Sequence, residues 1–339
     1  MKKNYFLLAA TTMMFAACAQ TDLVNEVVTE EAPQAIGFEG FANKATRAEL
    51  NTAGLQNAGF HVWGYKYDGT ITWDDPAVDG NQANYFEVFT GTNVTYSGQT
   101  WKPAAAKYWD ETKKYNFYAV APNEPAENTY EIKNGMIKIN NVEYAENDNS
   151  YDYLIDRDGA LNINGSDKDV VPFNFNHIMA KVSFILKAGV TENITVTSLK
   201  MTGWNGGDAT FTQELTATPT DKSHEEWTFN TTTLGEIDLI GRGTGDETVN
   251  LPSSKAEVEL TDSYIMIPQT IAANTLTFTI SYTIGTETFT DQVGVVEDIQ
   301  KWGTDTHTTY TIGVGPNIIE FTGTVSDWTT KPTGGTTIE

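Results

Sequence analysis

Short runs in which apolar and polar residues alternate recur along most of the chain, and residues that favour turns separate them. An alternation with a period of two places the apolar side chains on one face of a β-strand. Residues 277–283 show this alternation clearly, which indicates antiparallel strands with one face in solvent. Strands are therefore predicted at residues 36–43, 60–65, 85–89, 92–96, 115–120, 136–139, 151–155, 171–173, 181–186, 195–202, 209–212, 264–267, 276–284, 287–293, 308–314 and 318–325.

Helical periodicity is nearly absent, and only residues 48–58 have a pattern compatible with a short helix. Short strands separated by Gly, Asn, Asp and Pro are typical of β-sandwiches. We therefore expect an all-β fold of two antiparallel β-sandwich domains in series. The turn around Pro172 and an even division of the strands predict a first domain at 48–170 and a second at 171–339.

The N-terminus has the order of a secretory signal peptide: two lysines, an apolar run of about a dozen residues, and then small residues. The run is too short to span a bilayer as a helix. Ala16-Ala17-Cys18 ends it as a lipobox does, and Cys18 is the only cysteine. We predict a lipoprotein signal peptide at 1–17 and lipid on Cys18, which would anchor the chain without crossing the membrane. An ordinary signal peptide with a coincidental cysteine is the alternative.

The segment after the cysteine consists of a polar tether and one strand. Residues 19–34 are polar and acidic, which is typical of a disordered tether. The alternating strand at 36–43 follows, with Ile36 and Phe38 on one face and Phe41 as its third large apolar residue. We interpret this segment as a temporary strand that is displaced when the chain is processed.

A basic segment follows the strand and ends at Arg47. We predict proteolytic cleavage between Arg47 and Ala48, which would make residues 18–47 a leader and the remainder the mature subunit. Lys44 is an alternative cleavage site. The other interpretation is that Arg47 is an ordinary solvated arginine.

The composition indicates a globular chain and excludes several classes of function. Apolar residues make up 40% and aromatic residues 12% of the 339 residues, which is not the composition of a disordered chain. A formal net charge of −24 at pH 7 opposes binding to phosphate backbones, so we expect no nucleic-acid partner. A single cysteine excludes an intrachain disulfide and a thiolate-rich zinc site.

No motif points to an enzyme or a cofactor. The sequence contains no G-x-S-x-G elbow, P-loop or H-E-x-x-H motif, and its four histidines have no metal-ligand spacing. We expect His177 to be a structural histidine with a satisfied hydrogen bond. The acidic run at 146–158 lacks the spacing of a calcium-binding EF-hand loop, and no pattern singles out a carboxylate pair for glycoside hydrolysis. We therefore predict no metal, no cofactor and no enzymatic activity.

Several segments, taken in order, carry a resemblance to a known family. They are Trp101 with Lys107-Tyr108-Trp109, and residues 115–122, 175–182, 310–312 and 325–328. In these segments the chain resembles the fimbrillins of the Bacteroidales, subunits of protease-assembled (type V) pili that include the minor-fimbrillin-like domains. The lipobox and the sequence Ala45-Thr46-Arg47-Ala48 also lie where that family places them.

The resemblance implies two transthyretin-like β-sandwich domains and a role as a subunit of a cell-surface fimbrium. Such subunits are exported as outer-membrane lipoproteins, and an arginine-specific protease trims the leader, which removes a strand and leaves a groove. A C-terminal strand from another fimbrillin subunit then fills the groove. A sandwich without an edge strand exposes apolar side chains and unpaired backbone groups, and a neighbour's strand satisfies both. Because this head-to-tail exchange does not close on itself, it builds a filament that supports adhesion.

The incoming strand should come from the end of the chain. Residues 318–325 are most simply the last strand of the second domain, which is the interpretation that we favour. The donor would then be the tail 328–339, which is short and poor in apolar residues. The candidate donor residues in the two segments are Phe321, Val325, Trp328 and Ile338.

Two alternatives to a polymerising stalk subunit stay open. The first is a monomeric surface lipoprotein that binds glycans through its loops, for which the eight tryptophans offer stacking surfaces. The second is a lipid-retaining anchor subunit, or a tip subunit, of the same pilus.

Overall fold

The structure is a computed structural model of the 339-residue chain. It describes residues 32–42, 51–69, 85–123, 130–133, 136–144, 152–157, 159–214, 224–240, 248–252, 257–260, 263–298, 300–316 and 319–328. The signal peptide and the predicted sites at Cys18, Arg47, Ala48 and Ile338 lie outside the described residues.

The described residues form 24 strands and one short helix, so the all-β prediction is confirmed. The elements of the first part of the chain are β1 (Phe38–Ala42), α1 (Thr52–Ala58), β2 (Phe60–Asp68), β3 (Tyr85–Ser97), β4 (Thr100–Pro103), β5 (Lys113–Ala121), β6 (Tyr130–Lys133), β7 (Met136–Val142), β8 (Leu154–Asp156), β9 (Ala160–Asn164) and β10 (Val171–His177). The elements of the second part are β11 (Ala180–Ala188), β12 (Ile194–Asn205), β13 (Ala209–Glu214), β14 (Glu225–Phe229), β15 (Leu234–Ile240), β16 (Val249–Leu251), β17 (Glu257–Glu259), β18 (Tyr264–Met266), β19 (Gln269–Ile271), β20 (Thr277–Ile284), β21 (Glu287–Val295), β22 (Gln300–Trp302), β23 (Thr306–Val314) and β24 (Ile319–Asp327).

Most strands follow the alternation of the sequence, and the departures have local causes. The strands predicted at 85–89 and 92–96 form one strand, β3, which is irregular at Gly91, where φ is 67°. Most strands of three or four residues are too short to show an alternation and are absent from the prediction, namely β4, β6, β16, β17, β19 and β22. β9, β14 and β15 are also absent from it, although β15 alternates between buried and exposed residues.

The helix is shorter than the predicted segment 48–58, because local signals set its two ends. Asn51 Oδ1 accepts a hydrogen bond from the backbone N–H of Gly54 at 2.9 Å, which caps the N-terminus. Gly59 has a φ of 70° and ends the helix where a residue without Cβ is favoured. Leu55 is the buried residue of the helix and joins the core of the first sheet.

The first sheet closes on itself. Its strand order is β2-β3-β4-β1-β10-β8-β5, and β5 pairs back with β2, while β9 pairs with β5. The interior of this ring holds an aromatic-rich core that includes Phe60, Phe89, Phe117, Phe173 and Trp101. Closure leaves the seven ring strands without a free edge, so each strand of the ring has two neighbours.

Tyr67 gives this sheet a dependence on alkaline pH. The side chain is fully buried, and its hydroxyl donates to Asn162 Oδ1 at 2.7 Å. Burial, with a smaller contribution from Tyr85, raises the pKa of Tyr67 from 10.0 to about 12. Because the folded state holds the proton more tightly, the stabilisation is complete below pH 10 and is lost as the pH rises to about 12. We expect Tyr67→Phe to reduce this loss in urea unfolding at several pH values; an unchanged loss would contradict the assignment.

The second core lies between two further sheets. One has the order β17-β11-β23-β24, with β18 also on β11, and the other has the order β15-β12-β20-β21, with β16 also on β12. Phe184, Phe278 and Tyr310 pack ring against ring between them. Pairing is antiparallel in both sheets except between β11 and β23, which run parallel from Ala180 to Ala188.

A third, smaller core joins strands from both parts of the chain. Its four-stranded sheet, of order β14-β13-β7-β6, combines β6 and β7 with β13 and β14. Ile139, Phe211 and Met179 are buried in this core, together with Trp328. The chain thus passes from the first sheet to the second sandwich at Ile178 and Met179, because β10 pairs with β1 and β8 whereas β11 pairs with β23.

Candidate functional site: strand β1 and its groove

β1 lies between β10 and β4 in the closed sheet. It runs parallel to β10, with Phe38 opposite Val171 and Ala42 opposite Phe175. Its pairing with β4 is limited to Phe38 opposite Trp101. β1 is therefore held by one complete ladder on one side and by a short contact on the other.

The residues before β1 extend this pairing. The backbone N–H of Ile36 donates to the carbonyl of Lys107 at 2.8 Å, and that of Trp109 donates to the carbonyl of Gln34 at 3.0 Å. On the opposite side, the N–H of Val171 donates to the carbonyl of Gly37 at 2.9 Å. The segment from Gln34 to Ala42 is thus bonded to chain on both sides.

Side chains of this segment alternate between the core and solvent. Ile36 and Phe38 are 2% and 3% exposed, and Ala42 is also buried, whereas Phe41 is 50% exposed. The structure therefore puts Ile36 and Phe38 on one inward face, as the sequence indicates, and puts Phe41 on the outward face. We call the space that the inward side chains fill the β1 groove.

Phe38 is the centre of the β1 groove. Its ring centroid lies 5.8 Å from that of Phe173, in a stacked arrangement, and 5.4 Å from that of Phe89. Phe60 and Phe117 approach it edge-on at 6.4 and 5.9 Å. Such aromatic contacts add about 0.5–1.5 kcal/mol per pair to the burial of apolar area. The side chains that line the groove at this position therefore favour an aromatic ring.

The position of Gly40 is narrow. A Cβ placed there would lie 3.3 Å from Phe60, 3.4 Å from Phe175 and 3.5 Å from Leu55. The distance to Phe60 on β2 is shorter than most contacts of a Cβ, and the other two are ordinary contacts with β10 and α1. An alanine would therefore require a small shift of Phe60, and a longer side chain would press on all three residues. The sequence shows only that Gly40 is a glycine within a predicted strand. Such a glycine often marks a close approach of another part of the chain.

Thr52 holds the end of β1. Its hydroxyl donates to the carbonyl of Ala42 at 2.8 Å, and the backbone N–H of Ala42 donates to Thr52 Oγ1 at 3.3 Å. The first residue of α1 thus satisfies both backbone groups of the last residue of β1. From the sequence, a threonine at the start of a helix predicts a helix cap. The hydrogen bonds between Thr52 and Ala42 therefore cannot be predicted from the sequence.

The C-terminal donor candidates have different positions. β24, which contains Phe321 and Val325, pairs with β23 from Val314 opposite Ile319 to Thr306 opposite Asp327. Residues 319–325 thus belong to the last described strand of the second sandwich, and the interpretation favoured from the sequence places 318–325 in that strand.

Trp328 follows β24 and is 3% exposed. Its ring stacks on that of His177, with centroids 4.4 Å apart and planes at 11°. His177 is itself buried, and its Nδ1 lies 2.9 Å from Asp152 Oδ1, as expected for a structural histidine.

The other residues considered from the sequence, which are metal-ligand side chains, the acidic run and the tryptophans, do not form a common site in the described part of the chain. Among the described residues there is no group of three or more His, Cys, Asp or Glu side chains arranged to hold a metal ion. The acidic run at 146–158 lies mostly outside that part of the chain. Most tryptophans belong to the cores; those with 8% exposure or less are Trp63, Trp101, Trp109, Trp204, Trp302 and Trp328. In the described parts of the chain, no helix has the length and apolar character needed to cross a membrane.

The comparison with protein families identifies the class. Residues 46–328 match the sequence model of fimbrillin-like proteins. Because this is well over half of the chain, the chain belongs to the fimbrillin-like family, and the resemblance seen in the sequence is confirmed. The chain is therefore a member of a family of structural pilus and adhesion subunits of the cell surface.

One solved structure shares the fold, and others show a weaker similarity. A fimbrial protein from Bacteroides vulgatus ATCC 8482 matches with a TM-score of 0.62 and 18% identity, over 87% of this chain and 99% of that chain. A candidate cell adhesion protein from Bacteroides ovatus ATCC 8483 has a TM-score of 0.48 and 15% identity, over 89% and 100%. The tip fimbrial protein Mfa3 from Porphyromonas gingivalis, with a C-terminal truncation, has a TM-score of 0.42 and 11% identity, over 85% and 99%. A comparison with curated proteins found no match.

Proposed function

We propose that the chain is a fimbrillin subunit that polymerises by strand exchange after processing. It is exported as an outer-membrane lipoprotein with lipid on Cys18, cleaved between Arg47 and Ala48 by an arginine-specific protease, and assembled with other subunits into an adhesive surface fimbrium. It acts as a structural protein, without a cofactor. The two domains of the proposed subunit divide between His177 and Ala180, because β10 belongs to the first sheet and β11 to the second sandwich.

The observation that carries the proposal is the place of β1 in the closed sheet. Among the described strands, β1 alone pairs with both β4 and β10. It is also the first described strand, and Arg47 follows its last residue, Ala42, by five positions. A cut after Arg47 would separate β1 covalently from every other strand of the sheet.

Loss of β1 would create a strong binding site for another strand. It would open the ladder of β10 and expose the pockets of Ile36 and Phe38. Refilling these two pockets is worth about 1.5–3 kcal/mol for each side chain, and each new backbone hydrogen bond adds about 1 kcal/mol. The open groove of one subunit would therefore bind a strand that belongs to a second subunit. Repetition of this contact from subunit to subunit would extend a filament.

Replacement of Arg47 tests the proposal. We expect an arginine-specific protease to produce a new N-terminus at Ala48 in the chain that begins at Ala19, and to produce a ladder of oligomers. Arg47→Ala should stay uncut at this site and monomeric. The measurement is intact mass together with electrophoresis of unboiled samples.

Arg242→Ala is the matched control, because it removes another arginine and should leave the ladder unchanged. A ladder from the Arg47→Ala chain would show that cleavage at this residue is not the trigger for assembly. Clean cleavage of the unaltered chain without a ladder would indicate a tip subunit or a missing partner. Resistance at Arg47 would favour the anchor or the glycan-binding lipoprotein.

A further inference from the structure

The C-terminal strand repeats the residues with which β1 fills its groove. The inward positions of β1 and of the two residues before it read I-x-F-x-G-x-A from Ile36 to Ala42. β24 reads I-x-F-x-G-x-V from Ile319 to Val325 at the same spacing. The pattern I-x-F-x-G occurs nowhere else in the 339 residues. The outward positions of the two strands differ, so the likeness is confined to the side that faces the β1 groove.

We propose that β24 of a second copy of this chain takes the place of β1, in the register that puts Gly323 at the position of Gly40. The inference rests on the proposed function and names the donor segment and its register. It assigns the donor role to β24, the last described strand of the second sandwich, and not to the tail 328–339. Gly323 is then the residue that determines the register.

The surroundings of Gly323 do not account for a glycine there. A Cβ on Gly323 would meet the side-chain oxygen of Gln300 at 3.4 Å and the ring of Tyr310 at 3.8 Å, which are ordinary contacts. Its φ lies outside the left-handed region. Glycine within a strand weakens it, so another residue would serve β24 better in its own sheet. At the position of Gly40, by contrast, a Cβ would lie 3.3 Å from Phe60, which is closer than most contacts of a Cβ, and Phe175 and Leu55 would lie next to it at 3.4 and 3.5 Å.

Val325 is a second inward position of this pattern, and its present site leaves it in solvent. It is 59% exposed on β24, although its register partner Thr308 is buried. The corresponding residue of β1, Ala42, is 8% exposed. Transfer of β24 into the groove would therefore bury an apolar side chain that now contacts solvent. Among the inward positions, the two patterns differ only where β1 has Ala42 and β24 has Val325. This position lies at the end of β1, beside Thr52.

The position of β24 allows it to leave its sheet. Among the described strands it is terminal in its sheet, and its register partners there all lie on β23. Departure therefore breaks one ladder, and the ladder that β24 would form with β10 replaces it. The stacking of Trp328 on His177 holds the end of β24 and must also be released.

Peptide binding to the cleaved chain tests the donor assignment. Fluorescent peptides of residues 34–43, 317–327 and 328–339 represent β1, β24 and the tail, and each is offered in excess after cleavage at Arg47. We expect the first two to bind and the third to stay free. Gly323→Val should weaken binding of the β24 peptide by about 10-fold or more because of overpacking. Thr322→Val, which places the same side chain on the outward face, should leave binding unchanged.

The outcomes separate this inference from the proposed function. Binding of the β1 peptide without the β24 peptide would overturn the inference and leave the groove established. Binding of the tail peptide in place of the β24 peptide would overturn it as well. Failure of all three to bind would overturn the proposed function and the inference together.

A cross-link in the polymer tests the register. Phe41 is the partner of Asn174 in the β1 ladder, and the proposed register puts Thr324 of a second copy there. The chain that begins at Ala19 has no cysteine, so Asn174→Cys with Thr324→Cys introduces the only pair. We expect a disulfide-linked ladder after cleavage and none before it. Thr322→Cys with Asn174→Cys is the out-of-register control, and a stronger ladder from this control would overturn the proposed register.

Discussion

Replacing Phe38 by alanine is expected to lower the free energy of unfolding of the uncut chain by about 3–5 kcal/mol. Its ring is 3% exposed and lies among four phenylalanine rings. Truncation removes the apolar contacts and leaves a cavity, which the rigid ring of strands around it cannot fill by collapse. The measurement is urea unfolding of the uncut chain at neutral pH.

Phe41→Ala is the matched control on the same strand. It removes the same side chain and changes the strand propensity equally, but Phe41 is 50% exposed on the outward face. We expect it to cost no more than about 1 kcal/mol, because surface substitutions have small effects. Equal losses for the two variants would mean that β1 does not pack into the sheet with Phe38 inward.

The effect should also depend on cleavage. Once the leader has been cut and has left, Phe38 is no longer part of the folded subunit, so unfolding of the processed chain should be insensitive to Phe38→Ala. A loss of stability that persists after cleavage at Arg47 would show that β1 stays bound to the cut chain. This comparison measures the contribution of β1 to the sheet without assumptions about what replaces it.

The sequence predicts β1 as an element, but it does not predict how β1 is used in the fold. The alternation from Ile36 to Ala42 is local, and the inward face follows directly from it. The closure of the sheet is not local, because Phe38 pairs with Val171 in a parallel ladder and with Trp101 in a four-residue strand. Parallel partners far apart in sequence leave no mark in the periodicity of either segment.

The burial of charged residues is a second feature of the fold that the sequence does not predict. The acidic run that includes Asp152 and Arg157 has the composition of a solvated loop, yet both residues are buried. Arg157 pairs with Glu225, which follows 68 positions later in the chain. A charged residue can be buried only when distant partners compensate it, and composition does not reveal such partners.

Replacing Glu225 by glutamine is expected to lower the free energy of unfolding by about 3 kcal/mol. The side chains of Arg157 and Glu225 are 8% and 1% exposed, and Arg157 Nε donates to Glu225 Oε1. The other contacts of Arg157 are a hydrogen bond to the carbonyl of His177 at 2.9 Å and Asp305 Oδ2 at 3.6 Å. The change leaves a buried guanidinium with one distant carboxylate, and removing one partner of a buried pair is costly.

Glu257→Gln is the control, because it makes the same change of a glutamate in an ion pair with a lysine on the surface. Glu257 and Lys187 lie 2.8 Å apart with exposed fractions of 53% and 47%, so we expect a loss of no more than about 1 kcal/mol. The difference between the two losses isolates the effect of burial. Urea unfolding of both variants at the same pH provides the measurement.

The double variant Arg157→Met with Glu225→Leu decides how the pair acts. Apolar residues of similar size often replace a buried ion pair at little cost, because the desolvation penalty disappears with the charges. We expect the double variant to recover most of the stability that Glu225→Gln loses. Arg157 also bonds the carbonyl at the end of β10, so a deficit in the double variant would measure its role in joining the first sheet to the four-stranded sheet. A double variant as unstable as Glu225→Gln would show that the loss does not come from an uncompensated charge.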